Sequence, residues 1–69
     1  MTQCEKIIAY MALYGSISTM EAFNDLGITR LASRIHDLRR EGYSITGDII
    51  RTKNRYGEPV HYMRYSLEG

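Results

Sequence analysis

Cysteine is almost absent from this 69-residue chain, and Cys4 is the only one. No disulfide can form within the chain, and no Cys/His cluster has the spacing of a structural zinc site. Long hydrophobic runs are missing too, which excludes a membrane span. There is no Gly-rich phosphate loop, metal motif or paired-carboxylate signature. A nucleophile needs a base, an orienting group and a scaffold that excludes water, and a chain this short has little room for such a pocket. No enzyme activity and no cofactor are therefore expected. A lone thiol with no apolar leader segment points to a reducing, cytoplasmic setting. A domain of this size buries only about 60% of its unfolded surface. Its core must be compact or be completed by a second subunit.

Net charge is also scarce, at +1 overall, but its distribution is uneven. Residues 1–29 carry Lys6 against Glu5, Glu21 and Asp25, a balance of −2. Residues 30–69 carry eight basic against five acidic side chains, a balance of +3. Such asymmetry is a mild pointer to nucleic acid.

What is present is a series of short amphipathic segments. Thr2 to Tyr14 has helical period, with Cys4, Ile7, Ile8, Met11 and Tyr14 on one face. Thr2 and Glu5 have capping-box spacing, and Gly15 supplies a terminator. Ser16-Ile17 is a short connector with the look of one strand pair. Ser18 and Glu21 repeat the capping-box spacing for a second helix, in which Met20, Phe23 and Leu26 point one way with Ala22 beside them. Gly27 stops that helix, Ile28 can tuck into the core, and Thr29 is placed to cap a third helix from about Arg30 to Glu41. Leu31, Ile35 and Leu38 form its seam. Gly42 ends it. The period then changes to two. Tyr43 and Ile45 start a strand, Asp48 to Lys53 continue it, Asn54 to Pro59 form a turn, and Val60 to Leu67 return with Met63, Tyr65 and Leu67 inward. No repeat or linker appears, so residues 1–69 read as one domain.

Three helices followed by a β-hairpin give an α+β chain with the layout of a winged helix-turn-helix. The second helix of that pair, residues 30 to 41, is the recognition helix, which uses its N-terminal residues in the major groove. Here those are Thr29, Arg30, Ser33 and Arg34. Arginine can pair bidentately with guanine, and all four can bind phosphate. Arg30 and Arg34 sit at the positive end of the helix dipole, where cations are disfavoured, so stability alone explains them poorly. The hairpin would add Lys53 and Arg55, with Arg51 as a further candidate. Ser18 and Thr19, at a helix N-terminus, can offer backbone amides to a phosphate. Arg39 and Arg40, near the end of this helix, admit two readings, dipole complement or phosphate contact. His36 and His61 have no partner ligands in the spacing and read as surface residues. Cys4 reads as a small buried hydrophobe. Tyr10, Tyr14, Tyr43 and Tyr65 are expected to pack, and Tyr56 and Tyr62 to be exposed.

The residues "YGSISTMEAFNDLGITRLASRIHDLRREGYSI" carry a resemblance. Gly15, Ile17 and Ser18, then Leu26 to Arg30, then Leu31, Ile35, Leu38, Arg39, Gly42 and Tyr43 resemble a small winged helix-turn-helix family of phage and prophage proteins. More distantly they are similar to the N-terminal DNA-binding domain of the biotin operon repressor. The match covers residues 3–45 well and the hairpin loosely, through Tyr65 and Leu67. The resemblance implies sequence-specific binding of double-stranded DNA, often in transcriptional control, with Arg30 as the leading contact. A monomer with few contacts would bind weakly, which favours a homodimer, with the first helix and the last strand as candidate surfaces. Asp37 and Glu41, near the exposed side of the recognition helix, would repel phosphate. Together with Tyr56, Tyr62 and the low net charge they motivate the alternative, a protein-interaction module that engages a host or phage protein.

Overall fold

A computed structural model describes residues 1–68, in the order α1 (Gln3–Tyr14), β1 (Ile17–Ser18), α2 (Thr19–Leu26), α3 (Leu31–Arg40), β2 (Ile45–Lys53) and β3 (Pro59–Leu67). The first two helices start as their sequences dictate. The Glu5 amide donates to Thr2 Oγ1 at 3.2 Å while the Thr2 amide donates to Glu5 Oε1 at 2.9 Å. Ser18 and Glu21 repeat the pair at 3.2 and 2.9 Å. Each box satisfies two amides that a helix start otherwise leaves orphaned. Gly27, at φ 69°, ends α2 in the left-handed region, and the next amide, Ile28, donates back to the Ala22 carbonyl at 3.0 Å. That turn drives Ile28 into the core, where it is 1% exposed.

The core is one cluster: Ile7 and Met11 of α1, Ile17, Ala22, Ile28, the α3 seam Leu31, Ile35 and Leu38, then Ile45 and Tyr65 from the sheet. Cys4, Ile8, Tyr10, Leu26, Met63 and Leu67 pack around it, half-buried. The sheet is antiparallel in the order β1-β3-β2. Ile17 lies opposite Tyr65, and Ile45 opposite Leu67, so one sheet face closes the core under the helices.

Several expectations change. The packing face of α2 is set by Ala22, which is fully buried, while Met20 and Phe23 are 62% and 55% exposed. A small side chain lets α2 lie close against its neighbours, and the larger ones turn to solvent. Tyr14 stacks on Tyr10, with ring centroids 4.6 Å apart, but is itself exposed, and so is Tyr43. Cys4 is half-buried rather than enclosed. Tyr62 is half-buried, against the expectation of exposure, while Tyr56 is open to solvent. Thr29 does not cap α3: the helix starts at Leu31, Arg30 stands at the cap position, and no side chain bonds the first amides. The last strand keeps part of an open edge, because β1 pairs only with Tyr65 and Arg64 and leaves Pro59 to Met63 uncovered on that side.

Candidate nucleic-acid interface

The N-terminus of α3 is unlike the other two. Arg30 occupies the cap position at φ −117° and ψ 52°, and its carbonyl accepts the Arg34 amide at 3.2 Å. Its side chain is exposed and makes no hydrogen bond or ion pair among the described residues. Thr29 is exposed beside it, and Ser33 is half-buried one turn on. Arg34 is constrained: its guanidinium lies 3.5 Å from Asp37, and its Nε is buried without a partner. That pair joins residues three apart, with 35% and 43% of the side chains exposed. Pairs of this kind contribute about 0–1 kcal/mol, so a phosphate can displace the carboxylate. Arg34 offsets Asp37 only while the pair holds, and a phosphate that takes the guanidinium meets the freed carboxylate beside it.

Arg39 has a different task. Its Nε and Nη2 both donate to the Ile45 carbonyl, at 3.1 and 2.8 Å, and its guanidinium lies 5.9 Å from the centroid of Tyr65. It fastens the end of α3 to the start of β2 through two of its nitrogens, while the residue stays exposed. Arg40 stays exposed on the last turn of α3.

The start of α2 is closed as well. Ser18 is 2% exposed, its amide is spent on Glu21 and its hydroxyl on the Glu21 amide. Glu21 Oε1 also accepts from Arg64 at 3.1 Å, and Arg64 reaches Ser16 Oγ at 2.9 Å. One carboxylate thus ties β1, α2 and β3 together, and it would repel a phosphate there. The reading of Ser18 as a phosphate contact is corrected on this ground. Thr19 remains on the surface next to it. This network was not visible from the sequence, since Arg64 and Glu21 are 43 positions apart.

Lys53 ends β2 and Arg55 lies in the turn beyond, both exposed. Asn54 organises that turn: its Oδ1 accepts the Tyr56 and Glu58 amides at 2.9 and 3.0 Å, and its Nδ2 donates to Glu58 Oε1 at 3.1 Å. Gly57, at φ 78°, completes the reversal. So α2, a left-handed turn and α3 sit beside a protruding two-stranded hairpin. A family model described as a winged helix-turn-helix domain matches residues 2–69.

The chain belongs to that family.

No curated protein and no solved structure matches it. In the winged helix, α3 is the element that corresponds to the recognition helix and the β2–β3 hairpin is the wing. Such domains are typically DNA-binding. No helix is long and apolar enough to cross a membrane among the described residues.

Proposed function

We propose that this winged helix binds double-stranded DNA with sequence preference and acts as a small transcriptional regulator or phage accessory factor. The observation that carries the reading is the start of α3, an uncapped N-terminus whose first side chain is an exposed, unpaired arginine. A folded chain gains nothing from a cation at the positive end of a helix dipole. A polyanion gains both the guanidinium and the open amides of the first turn. Arg30, with Thr29, Ser33 and Arg34, enters the major groove; Lys53 of the wing, and Thr19 at the edge of α2, approach the flanking backbone. A regulatory role is what the resemblance of residues 3–45 to a winged helix-turn-helix family of phage and prophage proteins, and more distantly to the N-terminal DNA-binding domain of the biotin operon repressor, would imply.

Two copies on paired half-sites would raise the affinity of so small a contact set. The outer side of α1, where Leu13 and Tyr14 are 74% and 65% exposed beside Tyr10 and Leu26, supports a homodimer on that helix. The test is selection from a random duplex library. Enrichment of a motif is the expected result, and its half-site spacing reports whether two copies bind. A pool that stays unenriched contradicts the reading.

A second reading has an observation of its own. Met20 and Phe23 stand three residues apart on α2, an apolar pair more than half open to solvent, which favours a host or phage protein partner. Pull-down with and without nuclease separates the two, because a stoichiometric protein that survives nuclease treatment supports the second.

A further inference from the structure

We propose that the wing meets duplex DNA along the β2 strand, with Arg51 and Lys53 on successive phosphates of one DNA strand, and not by inserting its tip into the minor groove. The proposal rests on the DNA-binding reading above and assigns the wing's part in it.

The strand register sorts the wing into two unlike faces. Side chains alternate along a strand, and paired residues share a face. Ile45, Gly47, Ile49, Arg51 and Lys53 lie on one face, opposite Leu67, Tyr65, Met63, His61 and Pro59. Ile45 and Tyr65 are buried in the core, and Arg39 of α3 reaches both of them. A Cβ built on Gly47 would lie 3.1 Å from Met63 and 3.3 Å from Tyr65, which places all three together. This face therefore continues outward from the side of the sheet that the helices cover. Past Met63 the helices no longer cover it, and Arg51, Lys53 and His61 are exposed. The protrusion shows in the dimensions of the molecule, 39 Å by 22 Å by 21 Å.

Charge is segregated between the faces. The outer half of the core-side face holds Arg51 opposite His61, with Lys53 next along, and no acidic side chain. Asp48 points to the other face, where it lies opposite Arg64. Ile50 and Tyr62, both half-buried, pair on that other face and hold the strands together. Arg51 and Lys53 are neighbours on one face of one strand with no carboxylate opposite either, and a two-stranded hairpin is marginal to begin with. A stripe of cations without counter-charges works against the fold, and such conflicts mark functional surface.

Spacing then selects the ligand geometry. Residues i and i+2 on a strand are about 6.7 Å apart, close to the step between successive phosphates along a nucleic-acid strand. The tip offers less. Arg55 is offset by Glu58, whose carboxylate is fixed in the turn by Asn54. The electronegative minor groove would meet a loop of no net charge there.

The test uses the full chain and a duplex obtained by the selection above. Binding is measured across salt concentrations for the wild type, Arg51→Gln with Lys53→Gln, and Arg55→Gln, with thermal melts to confirm that all three are folded. All three side chains are exposed, so no variant should melt below the wild type. The double variant should flatten the slope of log K against log salt by about 2, because each phosphate contact contributes close to 1. Arg55→Gln should leave the slope as it is, and a small minor-groove binder should not displace the protein. A double variant with the wild-type slope, or an Arg55 variant that flattens it as much, overturns the proposal while DNA binding stands. A wild type that binds no duplex overturns both.

Discussion

Helices α1 and α2 begin in the same way, and α3 begins in the opposite way. The first two have a hydroxyl and a glutamate three residues on, each serving the other's amide. The third has arginine at the cap and no side-chain bond at all. The wing repeats the contrast on a smaller scale, with Asp48 opposite Arg64 on one face and Arg51 and Lys53 without a carboxylate on the other. Where the protein only has to fold, its residues follow the local rules of capping and charge. Where they break those rules, the breaks fall on the two elements that would face a duplex.

The largest effect belongs to the core that both halves share. Leu38→Ala removes a 1% exposed side chain where α3 meets α1. It should cost about 2–5 kcal/mol, much of the stability of a domain this small, and denaturant titration should show a chain that is partly unfolded in buffer. The contrast between helix starts sharpens next. Ser18→Ala should lose about 1 kcal/mol, whereas Thr29→Ala should stay within about 0.5 kcal/mol because Thr29 caps nothing. Equal losses in chemical denaturation would break the comparison. Arg30→Ser goes further, since it gives α3 the cap it lacks. It should raise stability by up to about 1 kcal/mol while weakening DNA binding, a trade readable from a melt and a binding curve on one sample.

The smallest effects lie at the extremes of pH. The Thr2 amide, and then its hydroxyl, hold the Glu5 carboxyl below its ordinary value. The α1 cap therefore contributes fully above the ordinary carboxylate range and fades as pH falls through the lowered value. The bond from Tyr10 to Asp25 pushes the tyrosine up to about 12. Its contribution is present below the ordinary tyrosine range and is lost as pH rises towards that value. Melting temperatures of Glu5→Gln and Tyr10→Phe should differ from the wild type at neutral pH and converge with it at the acid and alkaline ends respectively.

Much of the fold was legible because it is local. The two capping boxes, the glycine that turns Ile28 inward and the seam of Leu31, Ile35 and Leu38 all sit within a few residues of each other. The hairpin followed from a change of period. What escaped was decided by distant neighbours. Eight residues of α2 offer two apolar sides, and only close packing selects Ala22 over Met20 and Phe23. The grip of Arg39 on the Ile45 carbonyl and the sharing of Glu21 by Ser18 and Arg64 require the assembled sheet. The candidate site was legible as a set of residue types, but not in which of them the fold spends on itself. Ser18 and Arg39 belong to the structure, Arg34 is held by Asp37, and Arg30 alone stands free at the helix start.

The most direct measurement is the affinity of Arg30→Ala with Arg34→Ala for a selected duplex at moderate salt, beside a melt that shows the variant folded. A fall of tenfold or more, at about 1–3 kcal/mol for a base-reading arginine, with a flatter salt dependence, is the predicted result. Wild-type affinity in a folded variant would mean that the start of α3 is not where this protein meets DNA.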